Sequence, residues 1–458
     1  MSAPRTVPPP GVRGIPAAPG ARLHAIGLPG ARGIAVADAP AFRLPGQHFA
    51  AALFFLATGS VGLVWIAPEL AAGLYLSPHV AGVTHCFTLG WLTMTIFGAL
   101  YQLLPVALGV PIRSERWGHV SFWSYAPGVA LFATGIATSS LFLRHVGIVL
   151  VAFGIVCLVV NIASSLRAAP ERDVVWAAVA IALAFLTSTL GIGLVLLHSL
   201  HTGLLAGARV RVLAVHLHVA MIGWVLIMIV GISSRLLPMF LLAHGASTRW
   251  SRHAIAFLAA GVCSLSAGVL CGLTLSHWVG TAVLAWAGVA LIEAGVLCYL
   301  EQVRLAYTAR VRPKLDAGLR HVAVSLLFLC VGALLGPVVL YQGSGHPGLA
   351  IAYVALALLG SLVLFAIGQF YKIVPFLVWI SRFRNDMGRK RVPTVAELYS
   401  ARIAHGGLVA LSLAVVALAA GAALGSPTVV RAGALLFAGG VALFISQMAR
   451  VALAGAVR

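Results

Sequence analysis

The chain has 458 residues, 61% of them hydrophobic and 9% charged, with a mean hydropathy of +1.04. A soluble domain carries about a quarter charged residues, so a soluble enzyme, a disordered chain and a nucleic-acid-binding domain are excluded as the main reading. The net charge of +20 is explained below by where the basic residues fall in a polytopic membrane protein.

The first 46 residues are rich in Pro, Gly, Ala and Arg and read as a disordered basic tail. They hold no apolar segment followed by a cleavage site, so they do not read as a signal peptide. Twelve apolar stretches follow, at about 47–67, 81–105, 118–140, 143–166, 174–200, 211–240, 253–275, 277–303, 319–341, 347–380, 400–424 and 428–450. Each approaches the roughly 20 residues that cross a bilayer as helix. Alternation with period two is weak, which argues against a β-barrel. With the N-terminus inside, every Lys and Arg of the 30 falls on the inner side except Arg144, Arg209, Arg211 and Arg431. That asymmetry predicts both termini in the cytoplasm, with the chain in a bacterial cytoplasmic (inner) membrane. The patch of Arg382, Arg384, Arg389, Lys390 and Arg391 reads as a solvated cytoplasmic loop. Six cysteines lie in apolar stretches without any CxxC pair, and read as packed helix residues.

Three segments share one register. They are THCFTLGWLTMTIFGALYQLLPV from Thr84, LHVAMIGWVLIMIVGISSRLLPM from Leu217 and VALALLGSLVLFAIGQFYKIVPF from Val354. Counting from His85, His218 and Ala355, Gly follows at five (Gly90, Gly223, Gly360) and at thirteen (Gly98, Gly231, Gly368). Pro follows at twenty (Pro105, Pro238, Pro375), and a polar residue stands three before it (Gln102, Arg235, Lys372). The three segments are the second helices of three four-helix units, about 47–167, 174–305 and 319–455, within one membrane domain over 47–455. The glycines would let backbones approach closely, and the late proline would bend each helix.

Ionisable groups inside a membrane are costly and usually functional. His85 and His218 occupy the same repeat position. His216 stands two residues before His218, about 200° around a helix, so the two face opposite sides and one helix can serve two sites. His198 and His201, three apart at the end of helix five, share a face and can converge with His216 across a short loop. Neutral imidazole suits iron, copper and zinc. The competing reading for each is a hydrogen-bonded packing or interfacial histidine. Gly90 and Gly223 would leave room beside a haem ring. His79 reads as interfacial, as do His119, His253, His321 and His405 at helix starts. His24, His48, His145, His244, His277 and His346 read as loop residues. Glu293 within helix eight reads as a proton relay or a hydrogen-bonded structural group. Tyr353, on helix ten, sits at the register of His216, where it can hydrogen-bond or line a pocket. Glu69 reads as interfacial.

Twelve helices in a pseudo-threefold arrangement, with histidine on the second helix of a unit, resemble the haem-copper oxidase subunit I superfamily, and within it most the NnrS-type branch. The resemblance implies b-type haem, with copper as a second metal, and the handling of nitric oxide. It places His85, His218 and His216 as haem-ligand candidates, and His198, His201 and His216 as a second-metal set. Oxidases of the superfamily also carry a helix-ten His pair and a His-His dipeptide. Here Tyr353 and Ala355 stand on helix ten and no His-His dipeptide occurs, which argues against oxygen reduction.

The expected function is therefore an NnrS-like membrane haem protein that binds, or confers tolerance to, nitric oxide or a related redox ligand. A divergent oxygen or nitric oxide reductase and a metal or small-solute transporter are the alternatives, so whether it is an enzyme stays open. The implied partners are the lipid bilayer, a diatomic gas and a separate electron donor or quinol, with no nucleic acid.

Overall fold

The computed structural model describes residues 42–243, 247–274, 279–311 and 313–454. Among the described residues twelve helices are long and apolar enough to span a membrane: α1 (Arg43–Trp65), α2 (Pro78–Leu108), α3 (Glu115–Ala137), α4 (Leu141–Arg167), α5 (Val174–Thr202), α6 (Arg209–Leu241), α7 (Arg249–Leu273), α8 (Val279–Thr308), α9 (Ala317–Gln342), α10 (Pro347–Asp386), α11 (Ala401–Ala423) and α12 (Pro427–Leu453). No strand occurs among the described residues. The expected tail lies outside the described residues up to 41, and α1 begins at Arg43, four residues inside that tail.

Local chemistry sets the helix starts. Ser77, Ser114, Ser140, Asp173, Asp316, Ser400 and Ser426 each stand before a first turn and accept from one or two of its orphan amides. Gly203 and Gly343, with φ of 70° and 59°, close α5 and α9 in a conformation that side chains disfavour.

The helices α2, α6 and α10 differ from the rest. Each leaves α-geometry for a π-helical stretch at one register: Cys86–Thr93, Val219–Leu226 and Ala355–Val363. These stretches follow His85 and His218 directly and begin at Ala355. A π turn widens the helix, and such turns cluster at functional sites. The late prolines lie three residues from the ends of α2 and α6, so there they precede a stop; α10 continues past Pro375.

The glycine registers are explained by the preceding helix. A Cβ at Gly90, Gly223 or Gly360 would collide with Phe55 of α1, Phe185 of α5 or Phe328 of α9. At Gly98, Gly231 and Gly368 it would collide with Phe49, with Ala178, or with Gly318 and His321 on those same helices. The space expected beside a haem ring at Gly90 and Gly223 is thus filled by Phe55 and Phe185. The polar residue before the proline is explained too. Arg235 pairs with Asp173 at 3.0 Å, and Lys372 pairs with Asp316. In both cases the partner is the N-cap of the preceding odd-numbered helix.

The helices α3 and α4, α7 and α8, and α11 and α12 pair as hairpins. Glycines on both members let backbones touch, among them Gly128 and Gly154, Gly268 and Gly288, and Gly421 and Gly433. An amide side chain locks each hairpin at its end. The Asn161 Oδ1 accepts from the Ser114 amide, the Gln302 Oε1 from the Ser251 amide and the Gln447 Oε1 from the Ser400 amide. In the middle of the bundle Trp224 Nε1 donates to Thr93 Oγ1 at 3.1 Å, joining α6 to α2.

Candidate functional site

The histidines of α2 and α6 cluster towards the bundle end remote from the termini. His85 Nδ1–H donates to the Ala81 carbonyl at 2.7 Å, and His218 Nδ1–H donates to the Ala214 carbonyl at 2.8 Å. Each bond reaches back one turn on its own helix. It fixes the ring and the tautomer and turns the Nε2 lone pair outward, as metal-bound imidazoles are held.

The side chains of His216 and His218 separate as their spacing predicts. His216 faces α5, where its Cε1 lies against Gly193 and its ring approaches the Thr189 backbone, and it is close enough to His85 for their charges to interact. Its Nδ1 is buried and meets no hydrogen-bond partner. His218 turns the other way, and its Nε2 accepts from the Tyr353 hydroxyl of α10 at 3.3 Å, the rings stacked at 6.0 Å. Glu293 of α8, half-buried, lies within electrostatic reach of Tyr353. His218 therefore lies with Tyr353 and Glu293 on the side facing α10, while His216 lies towards α5, within electrostatic reach of His85. His85 and His218, expected as a pair, are divided between the two. His85 packs its ring edge-on to Phe132 of α3 at 5.3 Å.

His198 and His201 do not join His216. Arg144 of α4 donates from Nη2 to His201 Nε2 at 2.8 Å, and His145 stacks on His201 at 5.3 Å. No group of three or more His, Cys, Asp or Glu side chains stands close enough to hold a metal ion among the described residues.

Two further histidines lie elsewhere than expected. His48 and His321 are 0% and 1% exposed, not in a loop or at an interface. His48 Nδ1–H donates to the Leu44 carbonyl and His321 Nδ1–H to the Ala317 carbonyl. Each packs on a tyrosine sixteen residues into the repeat register, Tyr101 at 5.4 Å and Tyr371 at 5.1 Å. A signal was present: His48 and Phe55, and His321 and Phe328, are both seven apart, with Ala178 and Phe185 between. His79 donates to Glu69 at 2.7 Å in the α1–α2 connection, while His253 and His405 are exposed.

Between α2, α6 and α10 lies an apolar cavity of about 90 Å³. Its wall takes the same registers from the three helices, with Leu92, Val225 and Leu362 at seven and Leu103, Leu236 and Ile373 at eighteen. Most of that wall is apolar, which suits a small apolar molecule, while Thr95 Oγ1 and Gln369 Oε1 in the lining are buried without a hydrogen-bond partner.

No protein-family model matches the chain, and no curated protein matches it.

Proposed function

We propose that the protein is a membrane haem protein, similar to the NnrS-type branch of the haem-copper oxidase superfamily. In this reading it sits in a bacterial cytoplasmic membrane with both termini inside, and binds, or confers tolerance to, nitric oxide or a related diatomic ligand. The observation that carries the reading is His85 with its ring fixed by the Ala81 carbonyl, and His216 within its electrostatic reach. The two rings come from separate helices, one with its Nε2 turned outward by a backbone hydrogen bond and the other with a buried, unpartnered Nδ1.

An imidazole donor set fits iron. A haem bound there would supply a redox-active iron, the chemistry on which the handling of nitric oxide or a related ligand would rest. His85 and His216 are the residues that would hold it, and the room for the ring is not at Gly90 and Gly223. The largely apolar cavity further along the same helices supports a small apolar gas as the ligand. Copper, if bound, has no three-histidine set with His198 and His201.

The test is the haem content of the purified protein and its absorption shift with nitric oxide. His85→Ala and His216→Ala lose haem, while His253→Ala matches the wild type. Equal haem content in all of them, or haem in none, overturns the proposal.

A second reading rests on one contact. The Tyr353 hydroxyl on His218 Nε2, with Glu293 within electrostatic reach of it, supports a divergent reductase with a proton path. Turnover with a reductant and oxygen or nitric oxide, lost in Tyr353→Phe and Glu293→Gln, would favour it.

A further inference from the structure

The histidines that leave His216 form a different kind of site. Arg144 is 8% exposed, in the first turns of α4, where Gly135 of α3 lets the two backbones touch. A buried guanidinium ordinarily meets a carboxylate, because an uncompensated charge away from water is expensive. Among the described residues no Asp or Glu pairs with Arg144. Its Nη2 donates to a neutral acceptor, His201 Nε2, and its Nε–H is buried and donates to nothing.

The ionisable groups that meet this pair among the described residues are basic. His145 stacks on His201, and His198 stands within electrostatic reach of the same ring. The first-turn amides of α4 add partial positive charge to the same place. One guanidinium, three imidazoles and a helix start converge at one end of the bundle with no fixed negative charge among them. His145, His198 and His201 are exposed, so the cluster opens to the outside of the bundle, while Phe142 next to it presents an apolar face.

We infer that Arg144, with His145, His198 and His201, forms a phosphate-type oxyanion site at the bundle end remote from the termini. A planar guanidinium suits a phosphate oxygen through charge-assisted hydrogen bonds, and Arg144 keeps donor capacity beyond its bond to the neutral His201. The phosphate belongs to a lipid headgroup or is free in solution, and the chemistry of recognition is the same for both.

Calorimetric titration of the purified full-length protein in uncharged detergent tests it, with three probes: a short-chain phosphatidylglycerol, inorganic phosphate and a short-chain diacylglycerol. The wild type binds phosphatidylglycerol and not diacylglycerol. Arg144→Gln weakens that binding about tenfold or more, the scale of a lost charge-assisted pair. Arg431→Gln, an exposed basic residue at the same end, binds as the wild type does. Inorganic phosphate that binds and competes marks a free oxyanion as ligand; phosphate that does not compete marks the lipid. Arg144→Lys keeps the charge but not the fork, so it reads the same question if Arg144→Gln does not fold. Wild-type affinity in both Arg144 variants, or a wild type that binds neither phosphate probe, overturns the inference.

Discussion

At the residue scale, the hydrogen bond partner decides what each histidine can do. His85 and His218 occupy one repeat position and make the same backbone bond, yet only His218 has its Nε2 occupied by a tyrosine. Removing that hydroxyl with Tyr353→Phe should leave His85 and His216 untouched. Haem content then stays at the wild-type level, and a fall in haem would show that the two sides of α6 act together. Glu69 gives a second residue-scale expectation. Burial alone would raise its carboxyl, but the Ser77 hydroxyl close by and the hydrogen bond from His79 outweigh that and hold it below the usual range. A depressed carboxyl contributes stability at pH above its ordinary value, and that stability is lost as pH falls through the folded value. Glu69→Gln should lower the thermal midpoint at neutral pH, by an amount that shrinks to nothing as pH drops through the carboxylate range. A gap that stays constant with pH would contradict the assignment.

At the element scale, close approach is the device that holds helices together where lipid removes most of the hydrophobic drive. Gly360→Ala sets a methyl against Phe328 in a filled space, a change that costs about 1–3 kcal/mol when the core cannot yield. Gly439→Ala meets nothing within 4 Å and should be neutral or stabilising by about 0.5–1 kcal/mol through helix propensity. Thermal unfolding of the two variants separates them, and equal midpoints would contradict the packing described. Gln447→Ala strips the Ser400 amide of its acceptor at the end of the α11–α12 hairpin. It should cost about 1–3 kcal/mol for the buried group left unpaired, with faster hydrogen exchange at the start of α11. The spans, the glycine registers and the opposed faces of His216 and His218 were legible because each follows from helical period alone. The π-helical stretches were not, since no residue preference marks them.

At the scale of the whole molecule, what stayed hidden was which helix each side chain meets. Helical period placed His201 on a face with His198, but only the packing of α4 beside α5 gives it Arg144 and leaves His216 to His85. His321 sits near a helix start and so reads as interfacial; burial came from Gly368 of α10, which lets α9 approach closely. Phe55 and Phe185 were likewise readable as apolar residues but not as the occupants of the glycine gaps.

The central claim is that His85 and His216 hold a redox-active haem iron. The reduced-minus-oxidised absorption spectrum of the purified wild type, beside His85→Ala and His216→Ala, tests it most directly. The expected result is a Soret and visible-band difference in the wild type that is lost in both variants. A wild type from haem-competent cells with no such difference, or variants with the wild-type spectrum, would contradict it.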